Sequence, residues 1–353
     1  MELVTLDRYE PGGRLGTGAD YEVRSALDRE TGGQVVLKRP VPQMIKLNQH
    51  GGAESRTERL LQAHQELAPS VGGIVPILGY TEPANHDKFF GDSLGHEYRV
   101  TVEERAKGIP LLGDHMARIT GVPIGVGQNL FALHPLGQTA GQPAFPVQQL
   151  LLDVEEVFLD AGYLLLDLRP QNIYYQPAAA AAVVIDCGAL EALNQDQNDD
   201  SAGNRRRTAP KDINDFCLEM LKFYTTPQRP PEEAASYRDP YGLRPIVRFE
   251  DELAELEAAF NEPNAEQHQA LDNGCRAAAL VIINKVRNRS YSGLDDFRKD
   301  LDTYLDEVQQ RNQGLPNHLQ AKSAWHEACE WLRADYWRKY LFEPEVELAP
   351  FQS

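Results

Sequence analysis

The spacing of apolar residues divides the chain into a first part of short β-rich runs and a second part of helical stripes. Residues 15–23 read as a glycine-containing turn between two strands, and Val35, Val36 and Leu37 lead to Lys38 at the end of a further strand. Residues 53–67 predict a helix, because Leu60, Leu61, His64 and Leu67 recur at helical spacing. Two more strands are expected over 74–80 and 98–102, with a polar loop between them. Residues 113–146 are rich in Gly, Pro and His without a period, and read as an insertion or irregular connection. A buried helix over 147–161 presents Leu150, Leu151, Val154, Val157 and Phe158 on its apolar side, and Gly162 stops it. A hairpin follows: Ile173, Tyr174 and Tyr175 form one run, Val183, Val184 and Ile185 the other, and 176–182 turn between them. Residues 222–313 are predominantly helical with a proline-rich break at 227–231, and Trp325, Ala328, Cys329, Leu332 and Tyr336 share one stripe of a tail helix.

Length and composition narrow the class. A chain of 353 residues divides more naturally into two lobes than one core, and 42% hydrophobic with 25% charged residues is ordinary for a globular protein. The 53 acidic residues outnumber the 35 Lys and Arg, leaving a net charge of −18, which argues against nucleic acid or an anionic membrane as partner. No apolar run is long enough for a membrane helix and no secretion-type leader opens the sequence. Cys187, Cys217, Cys275 and Cys329 lie far apart without metal-type spacing, which fits a reduced, cytoplasmic protein.

The chemistry concentrates between residues 163 and 188. Asp167, Asn172 and Asp186 are two carboxylates and an amide, and the hairpin returns Asn172 and Asp186 to one end of the same two strands. Hard oxygen donors of this kind suit Mg²⁺ or Mn²⁺ beside a nucleotide phosphate, while a separate carboxylate can orient or deprotonate an attacking hydroxyl. Upstream, Gly16 and Gly18 permit close approach of the backbone to phosphates, and Lys38 supplies a point charge from a neighbouring strand.

These motifs, in this order, resemble those of eukaryotic-like Ser/Thr protein kinases. The stretch from Asp167 through Asn172 is similar to the family's catalytic loop, Asp186-Cys187-Gly188 to its metal-binding triplet, and Gly16, Gly18 and Lys38 to its glycine-rich loop and strand lysine. The resemblance implies an α+β, two-lobed kinase-like fold with an antiparallel N-lobe sheet over 1–107, a mostly helical C-lobe over 108–313 and a helical extension over 314–353. It implies ATP in the cleft, with Asn172 and Asp186 holding the metal, Asp167 acting on the acceptor hydroxyl, Arg169 near the γ-phosphate, and Val23 and Val36 lining the nucleotide. A helix glutamate would pair with Lys38. Glu54 and Glu58 stand one turn apart, with Glu58 preferred. Val102 would be the gatekeeper, the main chain of Glu103 and Arg105 would meet the adenine edge, and Asp212 would hydrogen-bond the catalytic loop.

The departures bear on mechanism. Tyr21 replaces the third glycine, Leu165 and Leu166 stand where histidine and arginine precede the family's catalytic aspartate, and Cys187 replaces a phenylalanine. Without that arginine, switching by a phosphorylated activation segment is not expected. The helix beginning near Asp212 follows Pro210 too soon for a normal peptide-docking loop. The expected activity is phosphoryl transfer to Ser or Thr hydroxyls of an unidentified protein substrate. The alternatives are a nucleotide-binding pseudokinase scaffold and a small-molecule kinase.

Overall fold

The computed structural model describes residues 1–17, 21–42, 52–67, 72–110, 146–166, 168, 172–176, 179, 181–187, 190–193, 211–222, 249–250, 253–254, 257, 273–313 and 341–347. Strands β1 (Glu2–Leu3), β2 (Tyr9–Thr17), β3 (Tyr21–Asp28) and β4 (Gln34–Pro40) precede helix α1 (Gly52–Leu67). Strand β5 (Ile77–Tyr80), the short helix α2 (Asp87–Phe90) and strand β6 (Thr101–Glu104) complete a six-stranded sheet of order β1-β5-β6-β4-β3-β2. All its pairings are antiparallel except that of β1 with β5.

Strand alternation explains why both faces of this sheet are covered. Val35 and Leu37 of β4, with Ala26, Val100, Val102, Tyr98 and Phe90, form one buried cluster. Val36 and Lys38 alternate with them and face the other way, toward the cluster that holds Ile77 of β5 and Leu60 and Leu61 of α1. The polar loop expected between 80 and 98 contains α2 instead, because Phe89 and Phe90 pack onto the outer cluster. The strand expected over 98–102 starts at Thr101, since Tyr98 is occupied by an isolated bridge to Ala84.

The second group of elements is helical with two small sheets. Strand β7 (Ile109–Pro110) is followed by α3 (Pro146–Asp160) and β8 (Tyr163–Leu165). Gly162, at φ +83, turns the chain from α3 into β8, a conformation that costs glycine no Cβ clash. The expected hairpin is present as β9 (Ile173–Gln176) and β10 (Ala181–Val184), with Ile173 opposite Val184, and β7 adds to its edge. Strand β11 (Leu190–Ala192) then returns to pair with β8.

Helix α4 (Ile213–Lys222) runs through the core: Phe216, Cys217, Met220 and Leu221 have no exposed surface. Burying a large apolar side chain is worth about 1.5–3 kcal/mol, so such a helix anchors whatever packs on it. Helices α5 (Asn273–Arg287) and α6 (Leu294–Gln313) flank it, with Phe297 edge-on to both Phe216 and Tyr291. Arg289 lies in the turn between α5 and α6 and pairs with Asp212 at 2.6 Å and Asp215 at 3.2 Å. Asp212 also accepts hydrogen bonds from Asn214, so its side chain caps the start of α4; most of the loop before β9, which it is expected to meet, lies outside the described residues. The expected insertion between 113 and 145, the break at 227–231 and the tail stripe at 325–336 lie outside the described residues.

Candidate functional site

Cross-strand register gathers the site's sheet residues into neighbouring rows. Gly16 lies opposite Val23, Val23 opposite Lys38, and Lys38 opposite Thr101, so these side chains project from one face. One row along, Ser25, Val36 and Glu103 are aligned on the same face. A Cβ built on Gly16 would meet nothing within 4 Å and its φ is not left-handed, so neither packing nor backbone conformation demands glycine there. Gly18 lies outside the described residues.

The hairpin supplies the opposing groups. Ile185 donates its N–H to the carbonyl of Asn172 at 2.8 Å, which closes the open end of β9 and β10 and sets Asp186 just beyond it. Lys38 Nζ donates to the Ile185 carbonyl at 3.1 Å and to Asp186 Oδ1 at 3.3 Å, joining residues 148 positions apart. Two main-chain bonds knit the same end of the hairpin to the sheet: Val75 N–H to the Val184 carbonyl and Val184 N–H to the Gly73 carbonyl. The loop that holds Asp167 and Arg169 is outside the described residues, but its flanks are fixed, with Leu165 and Leu168 both in the core. The Leu165 N–H is received by the carboxyl of Glu155, which has no exposed surface. Burial pushes that carboxyl well above the ordinary range, and the Leu165 hydrogen bond only partly opposes the rise.

Lys38 is 7% exposed, and its second acidic partner is Glu103, 5% exposed, with Oε1 3.5 Å from Nζ. Burial disfavours the ammonium, but Asp186 and then Glu103 more than offset it, so the Lys38 pKa stands above the usual lysine value. Burial raises the Glu103 carboxyl, and Lys38 restrains that rise. This arrangement corrects two expectations. Val102 faces the outer cluster and is no gatekeeper. Glu103 is a strand residue paired with both Val36 and Ile77, and its side chain points at the lysine. Arg105, just past β6, uses its guanidinium on Gln34 Oε1 at 2.6 Å and the Leu341 carbonyl at 3.0 Å.

Glu58 is also displaced from its expected role. Its side chain is 58% exposed and pairs with Arg99 at 3.1 Å, because α1 turns Thr57, Leu60, Leu61 and Leu67 inward and leaves Glu58 on the rim. The side chain of Glu54 is outside the described residues. Thr57, 1% exposed, meets the hydroxyl of Tyr21 at 2.8 Å, so Tyr21 ties the turn's outgoing strand to α1. His64 Nε2 accepts the Ile77 N–H at 3.0 Å, docking the helix to β5. Cys187 is buried, with its thiol pushed up by burial and by the Asp186 carboxylate, which makes it a packing residue and a poor nucleophile. It lines a cavity of about 40 Å³ with Leu60, His64 and Phe158.

The donor set fits a hard cation that brings its own further ligands. Asn172 and Asp186 offer oxygens at one end of the hairpin, and among the described residues no group of three His, Cys, Asp or Glu forms a closed metal cage. Sequence reasoning missed Glu103's side chain and Glu155. Counting alternate positions along β6 would have found the first, since residues 101 and 103 must share a face.

No family model matches the chain, and no curated protein matches it. Among solved structures the chain is similar to one described as Rad53 1-466 in complex with AMP-PNP, at 20% identity and a TM-score of 0.34. The likeness covers 51% of this chain and 39% of that one, so the chain spans about two fifths of the length of the structure it matches.

Proposed function

We propose that the chain is an ATP-dependent phosphotransferase on a two-lobed kinase-like fold, acting on Ser or Thr hydroxyls of a protein. The observation that carries the reading is the 3.3 Å pair of Lys38 with Asp186 across the cleft between sheet and hairpin. It brings together a strand lysine suited to phosphate and a carboxylate suited to Mg²⁺, each from the motif that resembles the kinase pattern. In this reading residues 1–107 form the smaller lobe, 108–313 the larger and 314–353 an extension.

Gly16 and Gly18 let the backbone approach the phosphates, Val23 and Val36 present apolar surface to the base, and the main chain near Arg105 meets its edge. Lys38 holds the α- and β-phosphates. Asn172 and Asp186 would hold Mg²⁺ or Mn²⁺, which when bound neutralises charge on the transferring phosphoryl group. Asp167 accepts the proton of the acceptor hydroxyl, and Arg169 lies beside the γ-phosphate. Base assistance of this kind contributes about 10²- to 10⁴-fold. Intact mass after incubation with MgATP tests the assignment. Added phosphate in the wild type that vanishes in Asp167→Ala supports it, and undiminished transfer by that variant sinks it. A nucleotide-binding scaffold without transfer is the second reading. It is favoured by Tyr21, Leu165, Leu166 and Cys187 standing where the kinase pattern has glycine, histidine, arginine and phenylalanine.

A further inference from the structure

We propose that Glu103 of β6, and not Glu58 of α1, is the positioning residue that holds Lys38 for nucleotide, so that the lysine is preset by the sheet itself. The inference deepens the phosphotransferase reading and rests on it for the role of Lys38. Three observations carry it. Glu103 Oε1 lies 3.5 Å from Lys38 Nζ, and both residues are buried, at 5% and 7% exposure. The two side chains stand on one face of adjacent strands in continuous register, Val36 opposite Glu103 and Lys38 opposite Thr101, so main-chain pairing fixes their separation. Helix α1 meanwhile brings Thr57 to Tyr21, and its Glu58 is spent on Arg99 at the rim.

The division of labour between the two acids follows from their exposure. Asp186, with 39% of its side chain exposed, sits at the mouth of the site, where a cation and water can reach it. Glu103 lies behind the lysine with 7% of its side chain exposed. A carboxylate drawn toward a divalent cation gives less to Lys38, and Glu103 then remains the lysine's fixed partner. In a site built this way, moving α1 does not make or break the ion pair of Lys38 with Glu103. The helix acts through the Tyr21 contact and its apolar face.

The test separates this claim from the activity. Full-length wild type, Glu103→Gln and Glu58→Gln are labelled with acetic anhydride at pH 8 without nucleotide, and acetylation of Lys38 is quantified by peptide mass spectrometry. Loss of the close carboxylate leaves the ammonium with one fewer acidic partner, and the labelling rate should rise about tenfold. Glu103→Gln is expected to show that rise and Glu58→Gln to stay within about twofold. Glu103→Asp, which keeps the charge one methylene further back, should fall between them. Lys38 labelling unchanged in Glu103→Gln, or raised equally in Glu58→Gln, overturns the proposal. Circular dichroism confirms that each variant is folded. If the wild type transfers no phosphate from MgATP, the activity reading fails, while Lys38 labelling still decides for or against Glu103. Where transfer occurs, Glu103→Gln should lower kcat/KM for ATP about tenfold, mainly through KM, and Glu58→Gln should not.

Discussion

Replacing Lys38 by methionine tests the electrostatics of the site without reference to any activity. Methionine keeps the length and most of the apolar stem, but removes the cation that faces Glu103, a carboxyl only 5% exposed. Breaking a buried ion pair by deleting one partner costs about 3–5 kcal/mol, because the remaining charge is left desolvated. Glu103 can escape part of that cost by taking up a proton, and each unit of pH in its favour returns about 1.4 kcal/mol. The sign follows from the direction of its shift. A carboxyl raised in the folded state by burial contributes stability that is present below the ordinary carboxylate range and lost as pH rises through the folded value. Losing Lys38 removes the attraction that restrains the rise, so the variant suffers more at higher pH. Urea unfolding at pH 5 and pH 8 should find Lys38→Met less stable than wild type by about 1 kcal/mol at the lower pH and about 3 kcal/mol at the higher. Lys38→Met combined with Glu103→Gln removes the stranded charge and should recover about 1–3 kcal/mol at pH 8. Equal losses at both pH values, with no recovery in the double variant, would refute the reasoning.

The helical core and the Glu155 carboxyl give two further expectations. Phe216→Ala removes a ring with no exposed surface from the middle of α4 and should cost about 3–5 kcal/mol in urea unfolding, where a loss below about 1 kcal/mol would mean that α4 is not central. Glu155→Gln keeps an acceptor for the Leu165 N–H but cannot ionise; since burial raises the native carboxyl, wild-type stability should decline above the ordinary carboxylate range more steeply than the variant's, and identical pH profiles would contradict that upward shift.

Much of the fold around the candidate site was legible because its signals are local. The hairpin carrying Asn172 and Asp186 announces itself by two apolar runs around a turn, and helix α1 by apolar residues at helical spacing. Lys38 and Asp186 could be matched because each sits beside a strand in a recognisable motif. What escaped notice depends on nonlocal pairing. The β8–β11 ladder joins three-residue strands whose composition gives no strand signal of its own. Helix α2 is a single turn held by Phe89 and Phe90 against the sheet, and its flanks are polar enough to look like loop. Motif spacing puts Glu103 in a connecting segment, whereas β6 extends through Glu104 and strand alternation turns residue 103 inward. Motif order favours Glu58, but which side of a helix meets a sheet depends on packing, and α1 turns Thr57 inward to Tyr21.

The most direct test of the central claim is the affinity for ATP, measured by calorimetry with and without Mg²⁺ on wild type and Asp186→Asn. The account predicts that wild type binds ATP, that Mg²⁺ tightens binding about tenfold or more, worth about 1.4 kcal/mol, and that Asp186→Asn abolishes that metal-dependent gain. No ATP binding by the wild type, or binding whose metal dependence is unchanged in Asp186→Asn, would contradict it.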